Sequence, residues 1–425
     1  MKHDFAPHVR RSLDGDARYE KSTLSNGMRV VTEHVPGIQS LAIGVWIDTG
    51  SRDERPAEAG MAHFMEHMVF KGTAHRKPHH IAQYLEAVGG YLNAWTTKDN
   101  TCYYARVLEP HLSRALHLLA DLVQHATLPE REIEKEKGVI IEEMRGADDD
   151  PEDAIHDSFE AMLYGRHPLA HPVIGHEHSV RTFRRDSLQD FVGRHYVAEN
   201  ILVTAAGAVD HDVLCALCEK EFAALPRGAR VRRRPPRSTR GGFRVEPRHV
   251  QQSHLVLGVA AEGMRTDRTL RLQVFSTLLG EGMSSRLFQR IRERHGYAYN
   301  IYSFSAMYAD VSTLGVYAGV ERGREERTRQ LVLRELQELA ARPVSVRELN
   351  RALEQSTGSM LLGLESMSSR MSRLGRDELV FGRDVPVREL LGSMRELTPE
   401  DMRMEAERLL QGDGPACVMF VPHAP

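Results

Sequence analysis

The chain has 425 residues, 41% of them hydrophobic and 27% charged, an ordinary globular balance with length enough for two domains or more. Lys and Arg number 56 against 59 Asp and Glu, a net charge of −3, which argues against bulk electrostatic binding of nucleic acid or an anionic membrane. Four cysteines make no disulfide framework, and no run approaches the ~18–20 apolar residues that span a bilayer. The opening MKHDFAPHVRRSLDGDARYEK has no apolar core of a secretory signal and carries acids foreign to a transit peptide, so the expected setting is cytoplasmic.

Residues 1–21 read as an unstructured lead. Asn26-Gly27 is a turn signal before the strand MRVVTEHV, and SLAIGVWIDTG is a second strand whose unbroken apolar character suits a covered sheet. Next comes GMAHFMEHMVFKG, residues 60–72. Met61, Phe64, Met65, Met68 and Val69 recur at helical spacing as an apolar stripe, and His63, Glu66, His67 and Phe70 form the adjoining stripe. Gly72 supplies a stop. Two imidazoles one turn apart suit zinc, and a carboxylate beside them suits a general base for a metal-activated water. The order is H-x-x-E-H, the reverse of H-E-x-x-H. With 22 histidines in the chain, a chance pair at i, i+4 is unremarkable. Glu66, placed off the apolar stripe, tips the reading toward metal, and a third ligand would decide it.

Residues Pro78 to Val88 read as a helix ended by Gly89-Gly90, and YLNAWTTKDNTCYYARVL as two strands joined by a polar turn. Leu112 to Ala126 is an amphipathic helix. In the helix from Glu130 to Met144, Glu136 and Glu143 stand seven apart and share a face. A carboxylate there could complete a His-His-Glu set, and it could equally be part of a solvated face; spacing leaves both open. Asp150-Pro151 reads as a cap and first helical position. The loop holding His167, His171, His176 and His178 lacks regular ligand spacing and reads as structural. Cys215 and Cys218 sit in a helical run and read as core. Residues 227–242, rich in Arg, Pro and Gly, read as a linker between halves; without interleaved aromatics they do not read as a nucleic-acid patch.

The chain beyond the linker repeats the chain before it. LAIGVW at Leu41 matches LVLGVA at Leu255, and CYYARVLE around Tyr104 matches GVYAGVE around Tyr317, offsets of 214 and 213. The expectation is an α+β chain of two homologous domains, 22–226 and 243–425, each a mainly antiparallel sheet packed with helices. At the offset of 214, His63 and His67 fall on Thr277 and Glu281, so the second domain cannot copy a histidine pair.

GMAHFMEHMVFKGT, LNAWTTKDNTCYYARV and EKEKGVIIEEM, in that order, resemble the pitrilysin-type zinc peptidases, most nearly the branch of the mitochondrial processing peptidase and its half-length bacterial relatives. The resemblance implies one zinc per chain on His63, His67 and Glu143, with Glu66 as general base and Glu136 as a supporting carboxylate. The 75 residues between His67 and Glu143 match that branch. It implies further that Arg292 and Tyr299, seven apart in RERHGYAY, point into the active chamber. The activity expected is endopeptidase cleavage of unstructured peptides or presequence-like segments, bound as an added strand along Leu92–Trp95 and so touching Asn93 and Ala94. Larger relatives carry four such domains in one chain, which implies a homodimer here with active sites shared between subunits. No nucleic acid or membrane partner is expected. Metal-free members of the family serve as silent partner or scaffold subunits, a role for which Glu66 would be needless.

Overall fold

The structure is a computed structural model and describes residues 17–230, 233–236, 241–266, 268–412 and 414–423. The first sixteen residues of the expected lead therefore lie outside the described residues. Its end does not stay unstructured: Arg18–Thr23 is strand β1, paired antiparallel with β2, Arg29–His34. RYEKST looks like a lead because an edge strand with water on its outer side needs no apolar face.

The first sheet continues with β3 (Ser40–Ile47), β4 (Tyr91–Thr96), β5 (Thr101–Leu108) and β6 (Ile201–Gly207), in the order β1-β2-β6-β3-β5-β4. Only the β2–β6 pairing is parallel among these. The second sheet comprises β7 (Gly242–Arg248), β8 (Ser253–Glu262), β9 (Ala298–Met307), β10 (Val311–Val320) and β11 (Ala416–Pro422), in the order β7-β11-β8-β10-β9. Here too one pairing is parallel, β7 with β11. Apart from β1 the two orders match strand for strand, and LAIGVW and LVLGVA occupy the same central position as β3 and β8. Two homologous α+β halves are what the chain forms.

Each sheet is covered on both faces, which explains the unbroken apolar runs. Alternate residues of β3 point opposite ways: Leu41, Ile43, Val45 and Ile47 join a core with Leu112, Leu116 and Leu119, while Ala42 and Trp46 join another with Met371 and Leu374. The second cover is the helix Met367–Phe381, which comes from the far end of the sequence. It packs so closely that a Cβ on Gly44 would lie 2.5 Å from Met371 Sδ, and one on Gly375 would lie 2.3 Å from Trp46. In the second sheet Leu255 and Leu257 face one core, while Val256 faces Ile155 and Phe159 of the helix Pro151–Tyr164.

The compact units therefore do not follow a single cut through the linker. Of the described residues, those within 1–144, 171–233 and 361–387 form one, and those within 145–170, 234–360 and 388–425 form the other. Each takes one helix from the other half of the chain. The expected linker is also partly structured. Residues 231–232 and 237–240 lie outside the described residues, but Arg233 is held by Asp53 at 2.7 Å and Asp48 at 3.0 Å, and donates to the Asp99 carbonyl. Gly242 already begins β7. Among the described residues no helix is long and apolar enough to cross a membrane.

Gly60, which precedes the histidine helix, is required twice over. Its φ is +94°, and a Cβ there would lie 2.5 Å from the Ile174 carbonyl of the histidine-rich loop. Gly89 shares the positive φ, +71°, but has open space around it. Gly89→Ala should cost about 1–2 kcal/mol from backbone strain alone. Gly60→Ala should cost clearly more, since the loop must also be pushed away. Urea unfolding of both variants checks this; equal losses would show that the Ile174 contact yields freely.

Candidate metal centre

The helix Met61–Met68 buries Met61, Phe64, Met65 and Met68, which fixes its rotation and turns His63, Glu66 and His67 to the opposite side. Its start is pinned by Glu54, which lies in the preceding loop. Glu54 accepts hydrogen bonds from the Gly60 and Ala62 N–H groups at 2.8 and 2.7 Å, satisfying donors that a helix start leaves free. Burial pushes the Glu54 carboxyl up to about 8, against the pull of those two N–H groups.

The helix Glu130–Asp149 runs alongside, anchored by Ile133, Ile140 and Ile141. It extends five residues beyond the predicted Met144. Glu143 meets both histidines: its oxygens lie 3.9 Å from His63 Nε2 and 3.7 Å from His67 Nε2. One ligand atom from each of the three falls within 4.8 Å of the others. Bonds of ~2.0–2.1 Å to a tetrahedral zinc would set such atoms ~3.3 Å apart, somewhat closer than the Glu143 oxygens stand to the two imidazoles.

Glu136 lies two turns before Glu143 and is 1% exposed. His67 Nδ1–H donates to its Oε1 at 2.9 Å, and Lys71 Nζ pairs with its Oε2 at 2.7 Å. This hydrogen bond places the proton on Nδ1 and leaves the Nε2 lone pair facing Glu143, the tautomer a metal ligand needs. Burial works to raise the Glu136 carboxyl, but His67 and Lys71 hold it below the usual range. Burial, with His67 beside it, lowers His63 to about 4, so this imidazole is neutral at pH 7 and free to bind metal. His67 is pulled down by burial but ends raised by Glu136, Glu143 and Glu66. Two neutral-capable imidazoles and a carboxylate, with nitrogen lone pairs converging on one point, fit zinc.

Glu66 stands beside this point. The hydroxyl of Thr96, at the end of β4, donates to its Oε2 at 2.5 Å. Burial raises the Glu66 carboxyl, with Glu143 adding to the rise and Thr96 and His67 opposing it. A carboxylate pushed upward is a better proton acceptor near neutral pH. β4 is also the edge strand of its sheet, so the outer side of Asn93 and Ala94 is unpaired by any strand of the first sheet. The Asn93 side chain donates to Tyr91 Oη and accepts from Ala94 N, both at 2.8 Å.

Arg292 and Tyr299 belong to the second unit, where the structure brings them together. The guanidinium of Arg292 lies 5.4 Å from the Tyr299 ring centre and 4.6 Å from that of Phe288. Arg292 sits in a π-helical turn, Phe288–Glu293, and Tyr299 is 80% exposed at the start of β9.

Lys71, Thr96 and Glu54 carry no motif that marks them. Lys71 lies four residues after His67, the helical spacing that could have found it; Thr96 and Glu54 reach the site through tertiary contacts that no spacing shows.

Residues 29–177 match the family described as Insulinase (Peptidase family M16), and residues 182–356 match the Peptidase M16 inactive domain. The chain is 42% identical to an uncharacterized zinc protease of Mycobacterium leprae, over 92% of this chain and 89% of that one. It is 35% identical to the uncharacterized zinc protease YmxG of Bacillus subtilis, over 93% and 96% of the two chains. A protease from Helicobacter pylori shares the fold, with a TM-score of 0.89 at 24% identity, covering 96% of this chain and 100% of the other.

Exchanging Glu136 for Gln keeps the volume but removes the charge that His67 and Lys71 share. Zinc affinity should fall ~10–100-fold, measured by competition with a chromogenic chelator. An unchanged affinity would mean that His67 is oriented without this carboxylate.

Proposed function

The chain belongs to peptidase family M16, and from that membership and the convergence of His63, His67 and Glu143 beside Glu66 we propose that it is a zinc-dependent endopeptidase acting on unstructured peptides. His63 and His67, through Nε2, and the Glu143 carboxylate would hold the ion. A zinc so held supplies Lewis acidity, which acidifies water and polarises a carbonyl. Glu66 does the proton work: it takes a proton from the attacking water and returns it to the departing amine. The Thr96 hydroxyl orients one Glu66 oxygen and leaves the other free to face the water.

Substrate would lie antiparallel to β4, its backbone taking over the Ala94 N–H that Asn93 Oδ1 holds in its absence, so that grip does not depend on side-chain sequence. That edge leads through Thr96 directly to Glu66, which is the observation supporting this placement. Extended, unfolded segments can add a strand in this way; a folded domain cannot. Arg292 and Tyr299 would donate to the substrate carbonyl as charge builds on it, each donor worth ~3 kcal/mol. We assign them to the site of a partner copy, in a homodimer about a two-fold axis. A net charge of −3 supports neither nucleic acid nor membrane as partner.

Glu66→Gln should keep its zinc and lose ~10²–10⁴ in kcat on an unstructured peptide, whereas Glu143→Gln should lose zinc itself. Metal analysis beside single-turnover assays separates the two; full activity in a zinc-loaded Glu66→Gln protein would remove Glu66 from the mechanism.

Sharing between subunits has its own test. Glu66→Gln protein mixed with the Arg292→Ala, Tyr299→Phe double variant should regain activity, because mixed dimers restore one complete site. If subunits exchange and the mixture stays inactive, the Arg292–Tyr299 pair does not serve the partner.

A further inference from the structure

A second group of metal-type donors lies in the first unit. Ligand atoms of His75, Asp121 and His125 fall within 4.8 Å of one another. Asp121 and His125 are one turn apart on the helix Leu112–His125, the spacing at which two side chains chelate. His75 comes from the loop after the histidine helix. The two segments are clamped before any ligand arrives: Ala74 N–H donates to the His125 carbonyl at 2.9 Å, Thr127 N–H donates to the Gly72 carbonyl at 3.1 Å, and Thr73 and Ala126 form a β-bridge. The imidazoles of His75 and His125 meet edge to face with centres 5.0 Å apart.

Asp121 is 3% exposed. Burial acts to raise its carboxyl, but His75, Thr73 and Arg76 together hold it below the usual carboxylate range, so it is anionic at neutral pH. Its two oxygens are divided. Oδ2 accepts from Thr73 Oγ1 at 2.7 Å and pairs with Arg76 Nη1 at 2.5 Å, while Oδ1 faces His75 Nδ1 at 2.6 Å. A plain ion-pair knot joining loop to helix accounts for Thr73, Arg76 and Asp121. It does not account for His125, whose ring completes a two-histidine, one-carboxylate set open to solvent.

We propose that Asp121 Oδ1, His75 and His125 form a second divalent-cation site, suited to zinc or to cobalt and nickel, separate in every residue from the His63–His67–Glu143 set. The ion takes the place of one hydrogen bond, that between His75 and Oδ1, and leaves Arg76 and Thr73 on Oδ2. Once bound it staples the loop after the histidine helix to the helix Leu112–His125. The site stands whether or not the proposed peptidase activity does.

Untagged protein dialysed against buffered zinc, and separately against cobalt, should take up two equivalents per chain, with the second thermal-shift step coinciding with the second equivalent. His75→Gln and His125→Gln, both changes at exposed side chains, should each take up one equivalent and hydrolyse peptide at the wild-type rate when loaded with it. Glu143→Gln should lose the equivalent tied to activity and keep the other, which separates failure of this site from failure of the catalytic reading. Wild-type protein that stops at one equivalent at a hundredfold excess of free zinc, or two equivalents surviving in both histidine variants, overturns the proposal.

Discussion

A single buried carboxylate ties the candidate metal centre together. Glu136 is withdrawn from water and would be costly to keep charged there without partners. It has two, His67 and Lys71, both on the segment that carries the histidine motif. The carboxylate therefore does two things at once: it fastens the Glu130–Asp149 helix to the Met61–Lys71 segment, and it sets which nitrogen of His67 carries the proton. Because Glu143 lies two turns further along the same helix, any slip of that helix moves the candidate ligand and its support together. The spacing of seven between the two glutamates thus has a mechanical reason.

The packing behind the site is equally constrained. The sheet that carries β3 and β5 cannot tilt, since one face meets the Leu112–His125 helix and the other meets Met371 and Leu374 at glycine-close range. Trp46 reaches over to β6 and donates to Thr204 Oγ1 at 2.8 Å, and Thr204 in turn donates to the Met371 carbonyl at 3.2 Å. A dense core of this kind transmits small displacements. The edge strand β4, which ends on Thr96 and so on Glu66, inherits that rigidity through β5.

Much of this is legible in the residues. The apolar stripe of Met61, Phe64, Met65 and Met68 announces the helix and the direction of its histidines. The offset between Leu41 and Leu255 announces the second sheet, because a repeated pattern of burial demands a repeated core. Glu143 is different: spacing puts it on a face with Glu136 but cannot say which face meets the histidines, and only resemblance to known peptidases assigns it. Arg233 is hidden in another sense. Among seven arginines of an apparently loose linker nothing distinguishes it, since the acids that hold it, Asp48 and Asp53, lie some 180 residues earlier. β1 escapes notice because its alternation is polar against half-buried, a pattern that an unfolded lead shares. Exchange of the two helices is beyond reach as well. The apolar face of Met367–Phe381 shows that it packs on a sheet, but not on which one.

That exchange governs how the protein can be made. The face of the first sheet formed by Trp46, Cys102 and Leu202 is complete as backbone once β6 has been synthesised, yet its cover, Met371 and Leu374, is encoded more than 150 residues later. At ~5–20 residues per second, translation leaves an apolar surface waiting for roughly ten seconds or more. The N-terminal half emerging from the ribosome thus carries an uncovered apolar face until the helix Met367–Phe381 has been made. The last helix to join the first sheet comes from the half without the His63–His67 pair, so the sheet behind the candidate metal centre is covered on both faces only in the completed chain.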